Sequence, residues 1–157
     1  MNPNSIIEKF YSSFAIGDID AMLSCYHSDV TFQDPAFGFL DAAQTRAMWS
    51  MLVARSKGDI KIKFSNIQAS ETEGSAQWEA DYHFSQTGNA VNNKINAQFE
   101  FKEGLIIKHV DTFDMWRWSR QALGWKGWLL GWTPFMENKI QATTNTLLKA
   151  YMSKPKG

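Results

Sequence analysis

Asp34, Asp111, His109 and His27 are the residues of this chain whose types and placement suit proton transfer. Asp34 closes the extended run Val30-Thr-Phe-Gln-Asp34 and precedes Pro35. Alternate residues of a strand share a face, so if Val30 and Phe32 point into a core, Asp34 does too. An apolar environment disfavours the charged form of a carboxylate, raises its pKa and makes it a better base near neutral pH. The same Asp-Pro pair is also a turn signal, in which the carboxylate accepts backbone N–H groups. His109 and Asp111, two apart on one strand, fall on the same side, where a carboxylate can orient an imidazole or hold a water. Leu105, Ile107 and Phe113 share their parity and Ile106 and Val110 oppose it, so parity alone leaves the buried face undecided. His27 follows Tyr26 near the end of the second predicted helix, a usual place for a histidine that caps a C-terminus. His83 falls in the polar set of its strand and reads as a solvated sheet residue.

These side chains could in kind serve zinc or iron. No close pair has a metal-ligand spacing, such as two histidines four apart on a helix, so no metal is expected. There is also no P-loop, no glycine-rich dinucleotide turn and no nucleophile elbow, and the chemistry expected needs no cofactor.

The elements that must hold these groups are well marked. Ser5 and Glu8 have capping-box spacing, and Ile6, Ile7, Phe10, Tyr11 and Phe14 follow at helical period. Gly17 can end that helix and Asp18 can cap the next, whose stripe is Ile19, Met22, Leu23 and Tyr26. Asp41 and Gln44 suggest a second capping box, before a helix with Ala47, Met48, Met51 and Leu52 inward and Gly58 at its end. Over residues 59–114 the period becomes two. Ile60, Ile62 and Phe64 open the series, Trp78, Ala80, Tyr82 and Phe84 continue it, and Ile95, Ala97, Phe99 and Phe101 form the third strand. Residues 105–113 supply a fourth, and Glu-Gly, Thr-Gly-Asn and Glu-Gly mark the connections. Thr133 and Pro134 then read as the N-cap and first residue of a last helix with the stripe Ile140, Thr144, Leu147, Leu148 and Tyr151.

Segregated helices and a mainly antiparallel meander define an α+β fold. Three straight helices cannot touch a curved sheet everywhere, so the arrangement encloses a pocket, the default site for a small ligand. Tyr11, Phe14, Trp49, Trp78 and Tyr82 are the candidate substrate-binding walls of that pocket. Past residue 115 tryptophan becomes dense: Trp116, Trp118, Trp125, Trp128 and Trp132 are five of the chain's seven. Gly124, Gly127 and Gly131 punctuate this stretch. It reads as an added helical layer on the core or on a second subunit, as a lid, or as a membrane-interface contact.

At 157 residues the chain has the length of one domain, 1–157, with 115–157 as its extension. Lys and Arg number 16, as do Asp and Glu, which argues against a nucleic-acid partner. The lone Cys25 excludes an internal disulfide and fits a cytoplasmic location. The start MNPNSIIEKF has no basic stretch leading into an apolar run, so no signal peptide is expected, and neither is a membrane partner.

The order of elements, with Gly17-Asp-Ile-Asp-Ala-Met-Leu-Ser-Cys-Tyr-His-Ser-Asp-Val-Thr-Phe-Gln-Asp-Pro35, resembles the nuclear transport factor 2-like superfamily, and within it the SnoaL-like polyketide cyclases and ketosteroid isomerases. The resemblance covers roughly residues 4–114 and implies a cone-shaped bent antiparallel sheet with three N-terminal helices around the pocket, often as a homodimer. It places Asp34 where ketosteroid isomerases carry their base and matches His109 and Asp111 to the Asp/His arrangement of SnoaL-like cyclases. His27 falls in a His-x-Asp turn common among these relatives. Phe10 stands where the isomerases' oxyanion tyrosine would be, and Tyr11 is rotated from it by about 100° on a helix. Ala97 stands for their protonated aspartate. A missing oxyanion donor forfeits about 3 kcal/mol, so steroid isomerisation is not expected. The superfamily holds isomerases, cyclases, epoxide hydrolases, dehydratases and binding proteins. The expectation is therefore an acid/base enzyme on a small hydrophobic molecule, or a non-catalytic ligand-binding or interaction module of the same fold.

Overall fold

The computed structural model describes residues 2–56, 58–131 and 133–154; Trp132 lies outside the described residues. Helix α1 spans Pro3–Ala15 and α2 spans Ile19–Leu23. Strands β1 (Tyr26–Asp34) and β2 (Gly38–Leu40) lead to α3 (Ala42–Ser56). Strands β3 (Lys61–Ala69), β4 (Glu73–His83), β5 (Ala90–Lys102) and β6 (Leu105–Thr112) follow. Helices α4 (Met115–Leu123), α5 (Trp125–Leu130) and α6 (Pro134–Ser153) form the tail.

Several starts and stops follow their local chemistry. Asp18 accepts the Ala21 N–H as N-cap, and Asp41 and Gln44 exchange both bonds of a capping box at 2.9 Å. Thr133 caps α6, with Pro134 in its first turn. The first helix departs from expectation: Asn2, not Ser5, is its N-cap, because Pro3 with its preset φ already occupies the first turn. The second helix stops at Leu23, and Tyr26 belongs to β1. The Arg46 guanidinium takes the carbonyls of Leu23, Tyr26 and His27, which a continuing helix would bond to its own N–H groups four residues on, and Tyr26 pairs with Ile106 instead.

The sheet has six strands in the order β2-β1-β6-β5-β4-β3. The expected meander of β3 to β6 forms, and β1 joins it parallel to β6, with β2 antiparallel at the edge. Irregularities in the β3/β4, β5/β6 and β1/β6 registers bend it into an open curved sheet, since an extra residue in one strand increases local twist. The first Glu-Gly is not a turn. Residues 70–72 make the β3–β4 connection, with Ser70 Oγ accepting from Thr72 and Glu73, and Gly74 lies inside β4. A Cβ there would come within 2.9 Å of Ile7 Cδ1 and of the Phe101 ring, so any side chain would push those two aside.

Helix α1 lies on β3 and β4, α3 on β1 and β2, and α4 on β5. Phe10 and Tyr11 are both fully buried, as their place in the apolar stripe of this helix leads one to expect. A helix covered over so wide an arc buries adjacent positions together. Helix α6 returns across α3 and puts Leu148 into the same core. Helix α5 leaves Trp125 and Trp128 largely exposed, as it does Leu129.

Candidate functional site

The β5/β6 irregularity settles the face of His109. Phe101 pairs with Ile106 and Glu100 with Lys108, so Ile107 is the extra residue and parity changes across it. Ile106, His109 and Asp111 therefore all face inward, although they do not share parity. His109 is fully buried and Asp111 is 3% exposed.

These two groups anchor a buried polar chain. The His109 ring lies 2.8 Å from Asp111 Oδ1 through Nε2 and 2.8 Å from the Tyr26 hydroxyl through Nδ1. Trp49 Nε1–H donates to the Tyr26 oxygen at 2.8 Å, and Trp78 Nε1–H donates to Asp111 Oδ1 at 3.5 Å. An indole can only donate. Tyr26 must therefore accept from Trp49, and its own proton is directed to His109 Nδ1. That leaves the imidazole proton on Nε2, donated to the Asp111 carboxylate. With this assignment every group in the chain has its partner. The rings of Phe10, Phe32, Trp49 and Phe99 surround the imidazole.

Asp34 ends β1 at the turn into β2. Its Oδ1 accepts the N–H groups of Ala36 at 2.9 Å and Phe37 at 2.6 Å, so the turn reading of Asp-Pro is realised. Oδ2 has no hydrogen-bond partner among the described residues. Burial pushes the carboxyl up to about 7, against the lowering effect of the Phe37 N–H, and the Asp111 charge adds to the rise. The core-facing and turn readings of Asp34 thus hold together.

Two tyrosines complete the surroundings. Tyr82 accepts Trp118 Nε1–H at 2.7 Å, and its own proton has no acceptor among the described residues. Burial raises its pKa, and the charge of Asp34 also contributes. The Tyr11 hydroxyl is buried without a partner among the described residues. Its pKa is raised by burial first and by Asp111 second. Of the other expected walls, Phe14, Trp49 and Trp78 are buried against one another, with Phe14 5.2 Å from Trp49 and 5.7 Å from Trp78 between ring centres.

His27 is not brought to this cluster, and it does not cap a helix. It sits in β1 near the β5–β6 turn, where Nδ1 accepts the Asp29 N–H and Nε2 lies 3.3 Å from Glu103 Oε2. It stands seven positions before Asp34 on β1. His83 pairs with Asp59 at the surface, as its polar parity suggests. Among the described residues no group of three or more His, Cys, Asp or Glu side chains is arranged to hold a metal ion. Tyr26 is the member that sequence reasoning missed. It shares parity with Val30, Phe32 and Asp34, a signal hidden by assigning it to the helix stripe.

Residues 7–109 match the SnoaL-like domain, and the chain belongs to that family. The match ends before α4 to α6. Solved structures share its cone fold, that of the nuclear transport factor 2-like superfamily. A proposed polyketide cyclase from Xanthomonas campestris pv. campestris is 20% identical, with a TM-score of 0.62 over 76% of this chain and 95% of that one. IdmH, a proposed polyketide cyclase from Streptomyces antibioticus, is 15% identical, with a TM-score of 0.65 over 77% and 98%. An LEH-like epoxide hydrolase from M. tuberculosis is 18% identical, with a TM-score of 0.59 over 82% and 90%. No curated protein matches the chain. No helix among the described residues is long and apolar enough to cross a membrane.

Proposed function

We propose that this SnoaL-like protein is a cofactor-independent acid/base enzyme, of cyclase, isomerase or hydrolase type, acting on a small hydrophobic molecule. The observation that carries the reading is Asp34: a half-buried carboxyl, tethered through one oxygen, whose burial pushes its pKa up to about 7. A carboxyl whose pKa is raised toward neutral can both take and give a proton, the condition for efficient general catalysis. On this reading the substrate sits beside Asp34 and Tyr82, where the carboxyl Oδ2 and the phenol proton have no partner among the described residues. The Tyr82 hydroxyl, polarised by Trp118, is a donor for oxygen charge that develops on the substrate. Burial is the main cause of the raised Asp34 pKa, and Asp111, held by His109, adds to it. Cyclases and epoxide hydrolases among the structural neighbours support this class of chemistry.

The superfamily resemblance supports a second copy of the chain as partner, as a homodimer, and the lone cysteine supports the cytoplasm. The balanced charge gives no reason to expect nucleic acid. The second reading, a ligand carrier without chemistry, draws on His109 and Asp111, whose mutual bonds and burial are equally those of a structural pair.

A thermal-shift screen with aromatic polyketides, terpenoid epoxides, steroids and fatty acids identifies the ligand class. Turnover of the hits then tests the site. Asp34→Asn is expected to lower turnover by about 100-fold or more. Asp111→Asn is expected to lower it less and to shift the acidic limb of the pH profile downward. Full turnover in both variants sinks the enzyme reading, and tight binding with no product at any pH favours the carrier.

A further inference from the structure

The turn that carries Asp34 is held from outside by the tail. Gln141 Nε2–H donates to the Pro35 carbonyl at 3.0 Å, the Thr144 hydroxyl to the Ala36 carbonyl at 2.6 Å, and Asn145 Nδ2–H to the Phe37 carbonyl at 2.9 Å. Three consecutive carbonyls are thus taken by residues spaced i, i+3 and i+4, one face of α6. The approach is close: at Gly38, where φ is +72°, a Cβ would stand 3.3 Å from Gln141 Oε1. Asn145 divides its two amide protons between Phe37 and the Gln141 carbonyl, which ties the latch to its own helix.

The opposite edges of these peptide groups face the carboxyl. The Pro35 carbonyl and the Ala36 N–H belong to one planar peptide, and the Ala36 carbonyl and the Phe37 N–H belong to the next. In each plane the oxygen is bound by α6 and the N–H is bound by Asp34 Oδ1. A rigid plane fixed at one edge is oriented at the other, and a donor on the carbonyl strengthens the N–H as a donor in turn.

We propose that α6 is the positioning element of the Asp34 site, with Gln141 and Thr144 acting through the two peptide groups after Asp34 to aim its carboxyl. The inference rests on the acid/base reading above and deepens it. It gives the tail a part in the site, although the family match ends at residue 109. Gln141 and Thr144 are positioning residues and do not touch substrate.

The test is Thr144→Val in the full chain, which keeps the side-chain shape and removes the hydroxyl. Asp34 is titrated by carbon NMR of its carboxyl, and the Ala36 and Phe37 amides are followed by hydrogen exchange. Thr143→Ala, on the exposed side of α6, is the control. Asp111 and Tyr82, the titratable groups that interact with Asp34, are unchanged in both variants. A positioning role predicts that the Asp34 midpoint rises by about half a unit or more, since weaker N–H donors stabilise the carboxylate less. Exchange at Phe37 quickens, and Gln141→Ala reproduces both effects. A midpoint that stays in place or falls, with only the melting temperature lowered, makes α6 a structural strap and overturns the proposal while leaving Asp34 as the acid/base group. A midpoint near 4 in the unsubstituted protein instead overturns the acid/base reading itself.

Discussion

Asp34 ties catalysis to stability. Its folded pKa of about 7 lies above the ordinary aspartate value of 3.8, so the folded state holds its proton more tightly than the unfolded chain does. The stability this contributes is complete below pH ~4, declines as pH rises and is gone above pH ~7. A shift of this size corresponds to about 4 kcal/mol at most. Asn at position 34 keeps an oxygen for the Ala36 and Phe37 N–H groups and carries no charge. Urea denaturation at pH 5 and pH 8 is therefore expected to show the unsubstituted protein weakening across the interval and Asp34→Asn holding level. Equal pH slopes for the two proteins would mean that Asp34 ionises freely. At this scale the sequence was informative about Asp34, because its alternation with Val30 and Phe32 survives in β1. It was uninformative about His109, because one extra residue in β6 reverses the alternation on which the inference depends.

The elements of the tail are set by glycines that no periodicity scan weighs. Gly124 ends α4 and begins α5 at a φ of +66°, turning one helix back on the other. At Gly127 a Cβ would fall 1.9 Å from the Ser119 carbonyl oxygen, a backbone atom that cannot give way. Gly127→Ala is expected to unseat α5 from α4 and to break the Trp116 indole bond to the Trp128 carbonyl. A red-shifted tryptophan fluorescence at an otherwise native circular dichroism spectrum is the signature. Gly74→Ala offers the contrast. Its new methyl meets side-chain ends of Ile7 and Phe101, which can shift, so the expected loss is about 1–3 kcal/mol with the fold retained. An unchanged tryptophan spectrum in Gly127→Ala would show that the two helices do not cross so closely.

On the scale of the whole molecule the tail is neither a free lid nor a detachable layer. Leu148 is part of the main core, and α4 closes the far end of the sheet. There Arg117 donates to the Asn92 carbonyl at 2.6 Å, and Thr87 and Asn89 bind the Ala122 carbonyl. Losing a buried leucine side chain alone costs about 2–5 kcal/mol, a large part of the usual 5–15 kcal/mol of a domain. A chain cut after Asp114 is expected to lose its cooperative melting transition. A cut chain that melts like the parent but changes its oligomeric state would mean instead that the tail serves a second subunit.

The sequence by itself determined the α+β class, the superfamily, most element limits and the inward face of Asp34. Those features rest on short-range physics: a cap reaches three residues along the chain, and helix and strand periods are fixed by backbone geometry. Only the tertiary structure decided the buried partners of His109, the strand membership of Tyr26 and the hold of α6 on the Asp34 turn. Each of these depends on a register shift of one residue or on a bond between groups far apart in the chain. Gln141 and Pro35, for example, are 106 residues apart. Such bonds form only once packing has brought the groups to hydrogen-bond distance.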